Sequence, residues 1–508
     1  MDLFYTCLLY VAILYVTIFL IRKHKSGSPG TNRNLPPGKT GYRPIIRETL
    51  DFVTAGRRGT PEKFVTDRTS RYSSDIFRTS LLGLGDVAVF CGPSGNKFIF
   101  SSENKDVTMW YPRSFKKVAE FPDPEAADNY SNDDGLRKTR GFTLEFTKPE
   151  ALQRYIPIMD SMAKQHLEAD WAPYQEVRAF PLIKKYTFAV SCHLLMSIQD
   201  PTQLARFKHN FALVTDGLIS VPINFPGTAY NKAMRAGKSM RKDLLPIIKR
   251  RKKELVELKD EEDKMAAKDL LSRMLLAKDG QSGRPVMKEI EIGNTIISIL
   301  TAGHNTTSTM TACVVNYLAM YPDVYEQVLK EQMEIVSSKG PDELLNWEDV
   351  QKMRYSWMVA CEVMRLCPAG PGSYRDAIKD FTYSGFTIPK GWKTHWTMYS
   401  THKDPRYFPD PDKLDPSRFE GSGPAPFTFV PFGGGPRICP GKEYARVLIL
   451  VSMHNLVTKF RLKKAIPDEK ISYGPFPIPA NSFHICIEPR TKPRTLCVDW
   501  LYHAPSYS

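Results

Sequence analysis

A chain of 508 residues with a net charge of +15 carries a marked basic excess, and residues 1–40 account for only +4 of it. The rest lies in the body, where it favours docking an acidic protein partner or an anionic membrane leaflet. Nine cysteines, an odd number without Cys-x-x-Cys spacing, exclude a zinc site and a disulfide framework and fit a reducing compartment.

Leu3–Ile21 is an uncharged apolar run of about 19 residues, which as a helix would reach roughly 28 Å and nearly cross a bilayer core. The basic flank Arg22-Lys23-His24-Lys25 follows the run rather than preceding it, and no small-x-small site separates the two. A cleaved secretory peptide therefore fits poorly, and positive charge on that side keeps the body cytosolic. Residues 1–21 read as an uncleaved transmembrane anchor. Residues 22–41, through Ser26–Gly30 and Leu35-Pro36-Pro37-Gly38, read as a basic, Pro-rich linker that serves as a hinge.

Further along, Ile76–Leu82 and Val87–Cys91 flank a Gly-Leu-Gly-Asp turn and predict a hairpin. Gly83-Leu84-Gly85-Asp86-Val87-Ala88 matches a dinucleotide fingerprint, but a strand follows the glycines where a nucleotide-binding helix should start. That reading fails. No other nicotinamide or flavin motif is present in the sequence. The sequon Asn129-Tyr130-Ser131 should stay unused in a cytosolic body. Periodicity predicts helices over Arg154–Trp171, Leu244–Lys259, Lys268–Ala277 and Ser356–Leu366. The run Lys249-Arg250-Arg251-Lys252-Lys253 sits directly before Glu254, Glu257, Asp260, Glu261 and Glu262, so it reads as a solvated helix face and not as a nucleic-acid patch.

The stretch from Ile292 to Pro322 contains no Asp, Glu, Lys or Arg. Its many Thr, Ser and Asn residues would be costly against lipid, so it predicts a long buried helix in a soluble core, with His304 as a packed histidine. Glu362 and Arg365 stand three apart on one face of a helix that Pro368 ends. Alone, such a pair is a surface ion pair. The strongest local signal is Phe432-Gly433-Gly434-Gly435-Pro436-Arg437-Ile438-Cys439-Pro440-Gly441, one cysteine on a glycine-built loop beside a basic residue. A thiolate that ligates haem iron needs such a loop, with Gly435 and Gly441 letting backbone N–H groups approach the sulfur and Arg437 neutralising a propionate. Cys361 and Cys367 read as packing residues.

Together these motifs make the chain resemble a cytochrome P-450, a haem-thiolate monooxygenase, from about Leu35 to Arg490. The resemblance rests on the Cys439 loop, on Glu362-Val363-Met364-Arg365, on Phe408-Pro409-Asp410-Pro411 through Pro416-Ser417-Arg418-Phe419, and on Ala302-Gly303-His304-Asn305-Thr306-Thr307. It implies a mainly α fold with a smaller β region, behind the N-terminal transmembrane anchor. Motifs scattered from Arg140 to Cys439 must converge on one haem, which makes residues 42–490 a single catalytic domain; residues 491–508 form a tail with no assigned role. Cys439 is then the axial ligand of haem b, with Phe432, Gly435, Arg437 and Gly441 around the cofactor. Arg140 and Arg375 match the family's propionate-binding arginines, although the aromatic expected four residues before Arg140 is Leu136. Arg418 joins the Glu362–Arg365 pair.

In the oxygen-activation segment, Gly303 lets the helix pass close over the haem and Thr306 hydrogen-bonds the activated oxygen. Asn305 departs from the family's usual Asp or Glu, and an amide cannot relay a proton. The implied reaction uses O2 and electrons from NADPH through a cytochrome P-450 reductase, on a hydrophobic substrate lying against Trp110–Phe115, Val221–Phe225, Ile299–Ala302, Ala369–Tyr374 and Ile478–Phe483. The implied location is the endoplasmic reticulum membrane, with the catalytic body in the cytosol and no nucleic-acid partner. Pro416–Pro426 running into Cys439–Arg446, Ile466–Ile471 and Pro477–Ala480 resemble plant enzymes that oxidise triterpenoids and taxane-type diterpenoids, the former favoured. A haem-thiolate isomerase or dehydratase that needs no reductase, and a non-catalytic haem-binding membrane protein, stay open as alternatives.

Overall fold

The computed structural model describes residues 34–40, 42–81, 84–112, 118, 132–218, 220, 222–258, 269–280, 282–474 and 476–490. The expected anchor, the sequon at Asn129, part of the hairpin turn and the tail lie outside them. Among the described residues no helix is long and apolar enough to cross a membrane. The described residues are mostly helical, with short strands gathered into one five-stranded sheet and three smaller ones.

The helix Glu289–Met320 is the axis of the molecule. Glu289 and Glu291 open it, where carboxylates complement the positive helix end, and Glu291 accepts the Lys288 N–H at 2.6 Å. Pro322 closes it, because a proline cannot continue the helix yet suits the first turn of the next, Pro322–Ser337. In between, the helix is buried on almost every side, as its lack of charge requires. Its polar groups are met locally: Thr311 Oγ1 donates to the Thr307 carbonyl at 2.9 Å, and His304 Nδ1 lies 3.1 Å from Thr187 Oγ1. The His304 ring stands edge-on between Phe188 and Phe211, and burial drives its pKa down to about 3, so this histidine is packed and neutral.

Lys442–Lys459 is likewise buried on all faces from Val447 to Val457 and lies on Pro149–Asp170, to which Asn455 bonds through Asp160 Oδ1 at 2.7 Å. The expected hairpin is present as Ile76–Leu81 paired with Gly85–Phe90, so a strand does follow the glycines. The second strand runs parallel to Lys393–Trp396, which in turn pairs with Ser373–Ala377 and that with Val107–Met109. A three-stranded sheet joins Glu176–Arg178, His484–Pro489 and Phe460–Lys464.

Several sequence expectations change in extent. The predicted Leu244–Lys259 helix is the second half of Ala229–Glu257, whose first half is a weakly patterned basic segment. Its run Lys249–Lys253 is an ion-paired outer face, with Lys252 bound to Glu289 at 2.9 Å, except at Arg251, which turns inward to the buried Asp269 and to Ser272 Oγ at 2.8 Å. The hinge expected within residues 22–41 is docked over residues 34–40: Arg78 N–H donates to the Pro37 carbonyl at 2.8 Å and Thr387 N–H to the Asn34 carbonyl at 2.7 Å. Gly38 makes this approach possible, since a Cβ there would fall 2.0 Å from the Arg78 carbonyl oxygen.

Candidate active site

Glu362 and Arg365, on the helix Arg354–Leu366, are not a surface pair; both side chains are fully buried. Arg365 donates to both oxygens of Glu362 at 2.7 and 2.8 Å and spends its remaining donors on the carbonyls of His402, Pro411 and Lys413. Glu362 also accepts the Asp415 N–H at 3.0 Å. Arg418 joins as an ion contact 3.4 Å from Glu362 and hydrogen-bonds the Pro409 carbonyl at 2.6 Å instead. The triad anticipated from the motifs therefore forms, with Arg418 in a weaker position. From it the chain reaches the cysteine loop in one step, because His402 Nε2 accepts the Val430 N–H at 3.0 Å.

The loop itself turns tightly. Cys439 N–H donates to the Phe432 carbonyl at 2.9 Å, and Phe432 packs its ring against the main core. Gly435 has φ +64°, and a Cβ on it would fall 2.2 Å from the Phe100 carbonyl oxygen. Its role is thus to let the loop lie on the end of the Gly92–Ser101 helix, not to approach the sulfur as its sequence context suggested. At Gly441 a Cβ would sit at an ordinary 3.9 Å from Cys439 Sγ. What Gly441 supplies is a backbone hydrogen bond to the thiol. Burial by surrounding atoms pushes the Cys439 pKa up, while that hydrogen bond and the Arg140 guanidinium pull it down.

One helix, Asn132–Thr147, touches both the loop and the axial helix. Arg140 Nη2 donates to the Ile438 carbonyl at 3.1 Å and Thr147 Oγ1 to the Pro440 carbonyl at 2.8 Å. On the same helix Thr139 Oγ1 lies 3.2 Å from Thr295 Oγ1. The side chain of Leu136 lies outside the described residues. Where the axial helix crosses this region its burial is interrupted by one stripe: Ser298, Ile299, Ala302, Gly303, Asn305 and Thr306, spaced to share a face. Ala302 is exposed, a Cβ on Gly303 would meet nothing within 4 Å, and Thr306 Oγ1 donates to the Ala302 carbonyl at 2.8 Å. The Thr306 proton is thereby committed to the helix, and its lone pairs face outward.

Arg375 and Arg437 meet at a residue that the sequence did not single out. Glu103 accepts from Arg375 Nε at 2.9 Å and from Arg437 Nε at 2.8 Å. The Tyr111 phenol feels all three arginines and Glu103, so Arg140, Arg375, Arg437, Glu103 and Tyr111 form one neighbourhood. No sequence signal marked Glu103, which sits in a polar turn of the kind usually solvated. Of the expected substrate-lining segments, Trp110 and Tyr374 are in ring contact at 6.2 Å, and residues 113–117 and 221 lie outside the described set. Phe483 does not line a site; it is 1% exposed and packs in the core beside Phe180.

A family model described as Cytochrome P450 matches residues 36–487. The chain belongs to the cytochrome P450 family. It is 50% identical over 492 residues to a β-amyrin 28-monooxygenase of Vitis vinifera, covering 96% of this chain and 99% of that one. It is 49% identical over 491 residues to a β-amyrin 6-β-monooxygenase of Solanum lycopersicum, covering 96% and 100%. A solved structure, retinoic acid-bound cyanobacterial CYP120A1, is similar with TM-score 0.76 and 29% identity, over 90% of this chain and 100% of that one.

P450 monooxygenases use haem b, O2 and electrons from NADPH through a reductase. The residues here fit that haem. Among the described residues one exposed cysteine on a tight loop, an exposed alanine and a part-exposed glycine on the open stripe of a buried helix, and three arginines in one neighbourhood match a thiolate ligand, a flat apolar face and two carboxylates. Three buried cysteines are held as thiols: Cys361 is pushed up to about 12 by burial, and Cys91 and Cys192 are raised further. Replacing Cys439 with Ser should abolish the strongly red-shifted band of the reduced, CO-bound protein, because thiolate donation produces that shift. A thiolate-type spectrum in Cys439→Ser would remove Cys439 as the ligand.

Proposed function

We propose that this protein is a membrane-anchored monooxygenase that hydroxylates or further oxidises a β-amyrin-type triterpenoid, with electrons delivered from NADPH by a partner reductase. The observation that carries the reading is identity of 49–50% along 96% of the chain to enzymes named for β-amyrin oxidation. Two relatives of nearly equal identity are named for different positions, 28 and 6-β, so overall likeness leaves the carbon open. Apolar groups on the stripe, Ile299 and Ala302, and the Trp110–Tyr374 pair support a hydrophobic substrate.

The haem, when bound, supplies reductive activation of O2 and insertion of one oxygen atom into a C–H bond. Cys439 donates electron density to that chemistry through its thiolate, and the hydrogen bond from Gly441 tempers the donation. Thr306 Oγ1 accepts a hydrogen bond and so positions the proton of a donor beside it, since its own hydrogen is held by the Ala302 carbonyl. Asn305 orients water without exchanging protons. His304, kept neutral in its aromatic slot, takes no part.

Outside the described residues, the apolar Leu3–Ile21 followed by basic Arg22–Lys25 supports a single-pass anchor in the endoplasmic reticulum membrane with the body facing the cytosol.

Three measurements test these readings. Membranes containing the protein and a reductase should convert β-amyrin to a hydroxylated or further oxidised product with NADPH and O2 consumed; product without NADPH would indicate an isomerase or dehydratase, and product only from a taxane-type diterpene would move the substrate class. Thr306→Ala should lower product per NADPH roughly tenfold or more, with peroxide released instead, in line with the contribution of positioned proton transfer. Equal coupling in that variant would dismiss Thr306. Deleting residues 1–25 should shift much of the protein to the soluble fraction with its haem spectrum intact, whereas glycan on Asn129 of the full chain would reverse the topology.

A further inference from the structure

Glu103 is a carboxylate only 2% exposed, reached by the turn that follows the Gly92–Ser101 helix. Asn104, in the left-handed region at φ +61°, turns the chain back at once, and the Met109 N–H closes on Glu103 Oε1 at 3.2 Å. Taking a carboxylate out of water is costly unless donors replace its hydration. Here three do: that N–H, Arg375 Nε at 2.9 Å on one oxygen and Arg437 Nε at 2.8 Å on the other.

Both arginines therefore meet Glu103 through their inner nitrogen. Arg375 Nη1 is committed as well, to Ser373 Oγ at 2.8 Å and the Tyr374 carbonyl at 2.9 Å, while Arg140 reaches the loop through Ile438. Among the described residues, Arg375 Nη2 and both Nη atoms of Arg437 take no hydrogen-bond partner. Three guanidinium groups without Glu103 carry +3; with it the cluster carries +2, the charge that two propionates neutralise.

We propose that Glu103 is a positioning residue for the haem: it holds Arg375 and Arg437 by their Nε edges so that the outer nitrogens face the propionates, and it trims the arginine cluster to the charge those propionates balance. The inference rests on haem at Cys439 and is independent of the substrate proposed above.

The test compares Glu103→Gln and Glu103→Asp in the full-length, haem-loaded protein. Readouts are the Fe(III)/Fe(II) potential at matched haem content and the rate of haem transfer to excess apomyoglobin. Glu103→Gln removes a buried negative charge, so reduction becomes easier and the potential should rise. One arginine also loses its anchor, so haem loss should quicken roughly tenfold, the scale of one charged hydrogen bond. Glu103→Asp keeps the charge but shortens the reach, so the potential should stay at the wild-type value while haem loss quickens. Should Glu103→Gln yield no haem-loaded protein, the aspartate variant decides alone. An unchanged potential in Glu103→Gln, a shifted potential in Glu103→Asp, or haem loss at the wild-type rate in both variants would overturn the proposal. A merely structural role would lower thermal stability and leave the potential where it was.

Discussion

Arg365 has no exposed side-chain surface, and a guanidinium can be buried only if its donors are met and its charge is paired. Glu362 answers the charge with a bidentate contact, and the carbonyls of His402, Pro411 and Lys413 take the remaining donors. This obligation fixes an otherwise irregular segment against the Arg354–Leu366 helix. The stability gained is not the point, since a buried ion pair gains little over well-packed apolar groups. Removing one partner is different, at about 3–5 kcal/mol, because it strands a charge. The pair therefore specifies position. His402, held by its carbonyl to Arg365, receives Val430 on its ring, and Val430 stands two residues before Phe432, whose carbonyl anchors Cys439.

The electrostatic surroundings of the loop follow the same logic of compensation. A thiol among protein atoms is pushed toward its neutral form, which opposes ligation, and the Gly441 hydrogen bond and Arg140 work in the other direction. Arg140 joins two requirements, since it bonds the loop at Ile438 and belongs to the arginine cluster that Glu103 moderates. Ligand and propionate ends are thus coupled through one short stretch of chain, Arg437 to Cys439. The axial helix offers its central break in burial where small residues, Ala302 and Gly303, leave a face to which a planar group can come close.

Much of this is legible in the sequence, for identifiable reasons. The Cys439 loop is compressed into ten residues because a rigid thiolate turn is a local problem, so its glycines and proline are local evidence. The uncharged run around Ile292–Pro322 announced a buried helix because burial on all faces excludes charge from every position. Other features depended on distant partners. Gly435 reads in sequence as approaching the sulfur, whereas the group it accommodates is the Phe100 carbonyl, more than three hundred residues away in sequence. Phe483 reads as substrate-lining from its neighbours in sequence, yet the sheet pairing next to it turns it into the core.

By itself the sequence determined the chemistry available: one cysteine on a loop built for ligation, a Glu–Arg pair at helical spacing, a threonine beside an amide on an uncharged helix. Those are requirements of local geometry and composition, and a linear pattern can state them. Tertiary structure alone decided which groups share a neighbourhood. It made one cysteine exposed among the seven in the described residues, set Arg418 at ion-contact distance from Glu362, and brought Glu103 from a polar turn to lie between Arg375 and Arg437. A carboxylate reads the same in sequence whether water or two guanidinium groups solvate it, and only the packed chain fixes which.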